Sequence, residues 1–384
     1  MDTIIIGSGI AGLYYAYNNL KDKKFIILEK NNYIGGRLKM SIFHKHYIVC
    51  GAGVGRFNKD LLLKKLLNDL NIPIKKSKSI KHYFPEEYEP IKFINDIIKS
   101  IKQYHKKHPK YIGSFKDIIL KLFNKKIFDR FVKINGYGDF VNEDFRETIN
   151  HYGIEDNISE MDIFSVPWNL LVKKLVNKIG RKNIELNCNV QKIQTEKDGT
   201  LLLKTNKGIF KNIKEIVIAT DIYAVHKFFP NNPLYKYIDG QSFSRIYVQF
   251  DISSRKIIQE YIKGYTIVNG PLQKIIPISV EDGIYMIGYN DNDNADMTKN
   301  ITKKKLISLI EDIIKEKINI IDFKIFYWKI GTHYFKPYFW KDTEWNKYLY
   351  KMQNPTDNIK LIGEAFSLNQ GWTEGALESV INLI

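Results

Sequence analysis

The first 29 residues constrain the fold more than any other part of the chain. Thr3-Ile4-Ile5-Ile6 is a short, apolar, largely β-branched run, the pattern of a strand buried on both faces of a parallel sheet. Gly7-Ser8-Gly9-Ile10-Ala11-Gly12 follows at once, and Leu13 to Leu20 then reads as a helix. Lys24 to Leu28 reads as a second strand that ends in Glu29, 22 positions after Gly7. Each glycine has a separate task in such a unit. Gly7 permits the tight turn off the strand, Gly9 lets backbone approach a pyrophosphate, and Gly12 lets the helix pack closely on the sheet. The helix start directs free N–H groups and a partial positive charge at phosphate. Glu29 is placed to accept hydrogen bonds from an adenosine ribose hydroxyl. Strand, helix and acid supply the context that a bare glycine pattern lacks.

The remaining 355 residues alternate both periodicities. Helical spacing runs from Asn58 to Ile72, through most of Ile91 to Phe131, from Leu170 to Ile179, and from Lys303 to Ile314. Strands are expected at Ile184–Ile193, Leu201–Thr205, Ile216–Ala219, Ile246–Phe250, Tyr265–Val268, Tyr285–Ile287, Phe323–Trp328 and Ile359–Ile362, with a last helix from Gly371. The nucleotide-binding pieces lie at both ends and in the middle. The spacing therefore predicts a discontinuous Rossmann-like nucleotide-binding domain over residues 1–72, 166–221 and 336–384. An interrupted α+β substrate domain would span residues 73–165 and 222–335. The fold class is α/β.

Further motifs carry a resemblance. Gly35-Gly36-Arg37 follows Glu29 closely and suits a second approach to phosphate, with the guanidinium bridging oxygens. Near the other end stand Gly363-Glu364-Ala365 and Gly371-Trp372-Thr373-Glu374-Gly375-Ala376-Leu377-Glu378-Ser379. In this order the motifs resemble those of the FAD-dependent amine oxidase superfamily, which includes monoamine and polyamine oxidases. The resemblance implies a GR2-type FAD-binding domain and noncovalent FAD, since no cysteine follows Cys188 to form a thioether. It also assigns cofactor contacts: Gly7, Gly9, Ile10, Ala11 and Gly12 at the fingerprint; Glu29 and Lys30 at the acid; Gly36 and Arg37 at the diphosphate. Gly51-Ala52-Gly53 would pass close to the isoalloxazine, Val190 would meet adenine, and Ala219 would end the strand that rejoins the domain. Gly363, Glu364, Trp372 and Thr373 would complete the site. Glu364 would meet a ribityl hydroxyl or a water, and the helix opening at Thr373 would aim its dipole at the flavin's pyrimidine edge.

The catalytic expectations depart from the family. Its oxidases carry a lysine on the strand that re-enters the substrate domain, where it holds a water against flavin N5. Phe243 to Phe250 aligns with that strand and puts Arg245 at the position, and arginine cannot act as a base. Rapid reaction of reduced flavin with dioxygen therefore does not carry over. Trp372 fits one of the two aromatic walls in front of the flavin. Tyr334, Phe335 or Tyr338 is the candidate for the other, against the competing reading that this aromatic run is core. His333, in the same run, is a candidate base or simply a hydrogen-bonded histidine.

Composition narrows the function. No stretch approaches a membrane span, and the sequence ends at Ile384 without the C-terminal membrane helix of monoamine oxidases. Two cysteines support neither a disulfide framework nor a usual zinc site, so no metal is expected and a reducing, cytoplasmic setting fits. The net charge of +17 comes from scattered lysines, so no specific nucleic-acid partner is expected. The partner is a small-molecule substrate. A cationic protein is a poor match for a polyamine; an amino acid or another anion suits it better, with Arg56 or Arg245 as carboxylate partner. The leading expectation is a soluble FAD-dependent oxidoreductase that passes hydride from a CH–NH bond to flavin N5. The alternatives are a desaturase or mutase on the same fold, or a flavin-binding protein without turnover.

Overall fold

The computed structural model describes residues 1–21 and 23–383; Asp22 and Ile384 lie outside them. At its centre is a five-stranded parallel sheet in the order Ile359–Leu361, Glu215–Ile218, Thr3–Ile6, Phe25–Leu28 and Ile184–Glu185. The opening strand is the middle one, with Ile4 beside Ile26 and Ile216. Its burial on both faces explains why it shows no polar alternation.

The two faces are covered differently. Ile5, Ile27 and Val217 point to one side, against helices Ile10–Asn19, Leu61–Asp69, Trp168–Ile179 and Thr373–Ile381. Ile4, Ile6, Ile216 and Ile218 point to the other. There they meet a three-stranded antiparallel sheet (Val190–Thr195, Leu201–Thr205, Gly208–Ile213) and helix Trp345–Gln353. Phe335, Tyr338 and Trp340 fill this second core, so the aromatic run near residue 335 is largely packing.

A second sheet of six strands has the order Ile320–Phe335, Ile238–Phe250, Ile284–Asp291, Lys274–Ser279, Tyr265–Val268 and Lys81–Phe84. Helices Ile252–Tyr261 and Lys303–Ile314 close one face through Ile246, Val248, Ile258, Ile287 and Ile310. Alternation sends Phe243, Arg245 and Tyr247 to the opposite face, beside Met286, Tyr289 and Asp291 of the next strand. A separate core gathers helices Pro90–Lys107, Phe115–Leu122, Lys125–Asn135, Phe145–Asn150 and Ile154–Ile158.

Several elements differ from expectation. The stretch 91–131, expected to be mostly helical, is so, and divides into three helices. Ser114 starts the second with a capping box, and Asn124 caps the third by accepting from the Ile127 amide at 3.1 Å. Ile184 to Ile193 divides into two strands that join different sheets. The strand around Phe323 runs on to Phe335. Lys75–Ser79 pairs with Met161–Ser165, although Lys-Lys-Ser-Lys-Ser contains no apolar residue to announce a strand. Among the described residues no helix is long and apolar enough to cross a membrane.

Candidate active site

A cavity of about 1520 Å³ starts at the carboxyl ends of the parallel strands and reaches the open face of the second sheet. In open α/β sheets ligands bind at such strand ends. Gly7, Gly9, Ile10, Ala11, Glu29 and Lys30 line it, as do Gly36, Arg37, Gly51, Ala52 and Gly53. Val190, Ala219, Gly363, Glu364, Trp372 and Thr373 close the same space, and Arg245 stands on the wall contributed by the second sheet. Residues from both ends of the sequence thus share one cavity.

The glycines divide into cradle and packing positions. A Cβ at Gly9 would meet nothing within 4 Å, so its absence leaves open space in front of the helix. A Cβ at Gly12, by contrast, would sit 2.2 Å from the Gly7 carbonyl oxygen, which is why this glycine lies behind the cavity wall and serves helix packing. The two N-terminal motifs interlock: the Gly35 amide donates to the Ser8 carbonyl at 2.9 Å, and a Cβ at Gly36 would stand 3.3 Å from the Gly9 Cα. Gly375 has a similar packing role, since its Cβ would fall 2.1 Å from the Asn369 carbonyl oxygen. Helices Ile10–Asn19 and Thr373–Ile381 both begin at the cavity, and neither N-cap residue, Gly9 or Trp372, offers a side-chain cap. Their first amides are free for an anionic or carbonyl ligand.

Glu29 is held in place by its own neighbours. One carboxylate oxygen accepts from the Ser8 amide at 2.9 Å and hydroxyl at 2.7 Å; the other accepts from the Asn31 amide at 2.9 Å and side chain at 2.8 Å. The two backbone donors fix its position. The other two donors, the Ser8 hydroxyl and the Asn31 side chain, belong to groups that can rotate away.

Glu364 organises the opposite side. Its carboxylate accepts from Arg37 Nη1 at 2.7 Å and from His333 Nδ1 at 2.6 Å. Burial works to raise the Glu364 carboxyl, but His333 and Arg37 outweigh it and hold the group well below the usual carboxylate range. The Ile222 amide donates to His333 Nε2 at 3.1 Å, which fixes the proton on Nδ1. With both ring nitrogens engaged, His333 orients Glu364 and is not free to act as a base. Arg37 also donates to the Gly331 carbonyl at 2.6 Å, so its guanidinium is oriented before any phosphate arrives.

The turn from Val49 to Gly53 is fastened through its carbonyl groups. Tyr247 Oη donates to Val49 O at 2.7 Å, Trp328 Nε1 to Cys50 O at 2.7 Å, Arg245 Nε to Gly51 O at 3.0 Å, and Trp168 Nε1 to Gly53 O at 2.9 Å. Three of the four donors come from the second sheet, which locks that sheet onto the glycine turn.

Two sequence expectations need correction. Arg56 is not available as a carboxylate partner. It is 3% exposed, donates through Nε to Asp60 at 2.8 Å, and lies 3.4 Å from Asp156. Its guanidinium carbon instead rests 3.9 Å from the Trp372 ring centroid, so it supports that cavity-lining side chain. Tyr334, with Phe335 and Tyr338, does not line the cavity. On this strand the cavity-facing positions end at His333; Tyr334 pairs with Asp239, and the other two enter the core.

Sequence reading missed a polar group behind the second sheet's open face. Lys274 is fully buried, donates to the Gly136 carbonyl at 2.6 Å, and sits 2.9 Å from the Tyr137 ring centroid and 4.4 Å from that of Tyr289. Burial pulls its ammonium down to about 7, against the opposing charges of Asp291 and Asp139. Burial and the Asp291 charge push Asp139 up to about 7, against the hydrogen bond from Tyr152. No motif marks these residues; only strand pairing brings them together. Among the described residues no cluster of three His, Cys, Asp or Glu side chains is placed to hold a metal ion.

These features define a flavin-dependent oxidoreductase, and comparison with known families agrees. Residues 151–382 match the family described as flavin containing amine oxidoreductase, and residues 5–70 match the NAD(P)-binding Rossmann-like domain. The chain belongs to the flavin-containing amine oxidoreductases, with FAD as cofactor. In fold it is similar to cyclohexylamine oxidase from Brevibacterium oxydans IH-35A, at 15% identity and a TM-score of 0.76, with 99% of this chain and 96% of that one covered. It is also similar to a putrescine oxidase double mutant redesigned in cofactor binding, at 11% identity and a TM-score of 0.73, with 99% and 97% covered. No curated protein matches the chain.

Proposed function

We propose that the protein oxidises a small amine at its CH–NH bond, with the substrate held between Trp372 and the open face of the second sheet. FAD, when bound, supplies the acceptor for the hydride that leaves the substrate carbon. The observation that carries this reading is the single cavity: fingerprint glycines line one end and aromatic side chains of the second sheet the other. The chain's residues then have distinct tasks. Gly9 and the uncapped helix starts receive the diphosphate; Glu29 takes the ribose; Arg37, oriented by Glu364, neutralises phosphate charge. Phe243, Tyr247, Tyr289 and Trp328 exclude water and orient the substrate, and the apolar surroundings favour the neutral amine over its ammonium. Trp328, fixed by its bond to Cys50 O, takes the part of the second aromatic wall.

The discontinuous domain division drawn from the sequence is part of the proposal, supported by the strands at both ends that meet in the parallel sheet. We also assign the protein to the reducing cytoplasm, with no specific nucleic-acid partner and no membrane attachment. The support is that Cys50 and Cys188 are free and buried and that the positive charge is scattered.

The test is anaerobic mixing of the yellow protein with a panel of amines and amino acids, followed by admission of air. Bleaching of the flavin band by at least one of them is the expected result. A flavin that no compound bleaches would remove the oxidoreductase reading in favour of a binding protein. A second reading, transfer of electrons to an acceptor other than dioxygen, is favoured by Arg245 at the lysine position; bleaching without hydrogen peroxide after aeration would establish it.

A further inference from the structure

Two buried polar atoms on the cavity wall have no hydrogen-bond partner among the described residues, and they carry opposite charge. One is Nη2 of Arg245, whose side chain is 2% exposed; the other is Oδ2 of Asp291, 5% exposed. Both groups are otherwise fixed. Arg245 is tied by Nε to Gly51 O and by Nη1 to the Met286 sulfur at 3.2 Å, and its guanidinium carbon lies 4.2 Å from the Tyr289 ring centroid. Asp291 Oδ1 accepts from the Gly138 amide at 3.0 Å and from Gln273 Nε2 at 3.1 Å, while the Asp291 amide donates back to Gln273 Oε1 at 3.0 Å. A buried, rigidly held charge with a free atom costs stability unless something fills it. Neither neutralises the other: among the described residues no ion pair within 4 Å includes either. Lys274 lies close enough for its charge to favour the Asp291 carboxylate, but it makes no ion pair with it within 4 Å among the described residues and donates instead to Gly136 O.

The pairing of the strands sets their separation. Arg245 lies opposite Tyr289, and Phe243 opposite Asp291, so Arg245 and Asp291 are diagonal neighbours on one face. Such neighbours stand about 7–8 Å apart at the backbone, within joint reach of one small ligand. We propose that Arg245 and Asp291 form a clamp for a zwitterion, and that the substrate is an α-amino acid whose carboxylate meets Arg245 and whose ammonium gives a proton to Asp291, leaving the neutral amine that is oxidised. The proposal rests on the amine-oxidising reading above. Lys78, Lys81 and Lys263 line the same cavity and favour the arrival of a ligand that carries a carboxylate.

The test pairs each amino acid with its decarboxylated amine in anaerobic bleaching of the yellow enzyme: phenylalanine with phenethylamine, leucine with isoamylamine, lysine with cadaverine, ornithine with putrescine. At least one amino acid is expected to bleach the flavin at lower concentration than its amine, by about tenfold or more. Calorimetric binding of the α-methyl analogue of that amino acid, which has no α-hydrogen to lose, is expected to weaken about tenfold to a hundredfold in Asp291→Asn and in Arg245→Met. FAD content should be unchanged in both variants, which separates loss of the clamp from loss of the cofactor. Bleaching by amines but by no amino acid would overturn the clamp and leave the amine-oxidising reading intact. Undiminished analogue binding in both variants would also overturn it. Bleaching by neither class would take both readings down.

Discussion

Arg245 donates through Nε to the carbonyl oxygen of Gly51 across 3.0 Å, and this bond joins the second sheet to the turn beside the flavin position. Arg245 is buried, and among the described residues no ion pair balances its charge. An unpaired buried charge is a stability cost, and one hydrogen bond is a small return. Arg245→Met is therefore expected to unfold in urea at a midpoint at or above that of the parent, while substrate binding falls. A clear drop in midpoint would show that the arginine serves stability instead.

The neighbouring fastening should behave in the opposite way. Tyr247 Oη donates to Val49 O at 2.7 Å in a buried setting, so Tyr247→Phe leaves that carbonyl unpaired. A loss of about 1–3 kcal/mol in unfolding free energy is expected, measured by urea denaturation.

The fingerprint glycines give a paired test. Gly9→Val places its side chain in open space in front of the helix, so the chain should fold and purify without yellow colour. Gly12→Val forces an atom to within 2.2 Å of the Gly7 carbonyl oxygen, so this variant should be largely insoluble or unfolded by circular dichroism. A yellow Gly9→Val protein would remove the phosphate assignment.

Arg56 sits between Asp60, Asp156 and the Trp372 ring. Arg56→Met strips Asp60 of its cation, while Asp156 keeps Lys59 at 3.0 Å, and breaking such a buried pair costs about 3–5 kcal/mol. Thermal denaturation should show the loss, and substrate binding should weaken as Trp372 loses its support.

Lys274 predicts a pH dependence of definite sign. Burial lowers its ammonium to about 7, below the ordinary lysine range near 10.5. Between those values the unfolded chain binds more protons at this residue than the native state does. Stability contributed by Lys274 therefore rises with pH through that window and is lost as pH falls toward 7. Lys274→Met should flatten this rise, read as midpoint against pH from 7 to 10. An unchanged slope would mean that Lys274 titrates normally.

Legibility in the sequence followed the range of the interactions. Thr3–Ile6, Phe25–Leu28 and Glu215–Ile218 announce themselves because a strand buried on both faces needs a continuous apolar run. The cavity-lining glycines are legible because the need for bare backbone leaves few other residues possible. Arg245 was found through its strand. Asp291, Asp139 and Lys274 leave no local mark, because their meaning depends on which strand lies beside which, and Tyr334 falls just past the cavity-lining stretch Trp328 to His333. At Arg56 the sequence leaves a salt bridge and a ligand contact equally open; Asp60 lies four residues on, whereas Asp156, 100 residues away, joins only in the fold.

The sheet that cradles the nucleotide is completed by Ile359–Leu361, beside a strand that lies some 140 residues earlier. During synthesis the ribosome thus exposes the inner strands long before their outermost companion emerges. Until then the edge at Ile216 to Ile218 is bare, apolar and open to pairing with other chains. A chain truncated before Ile359 is expected to leave that edge uncovered and to aggregate.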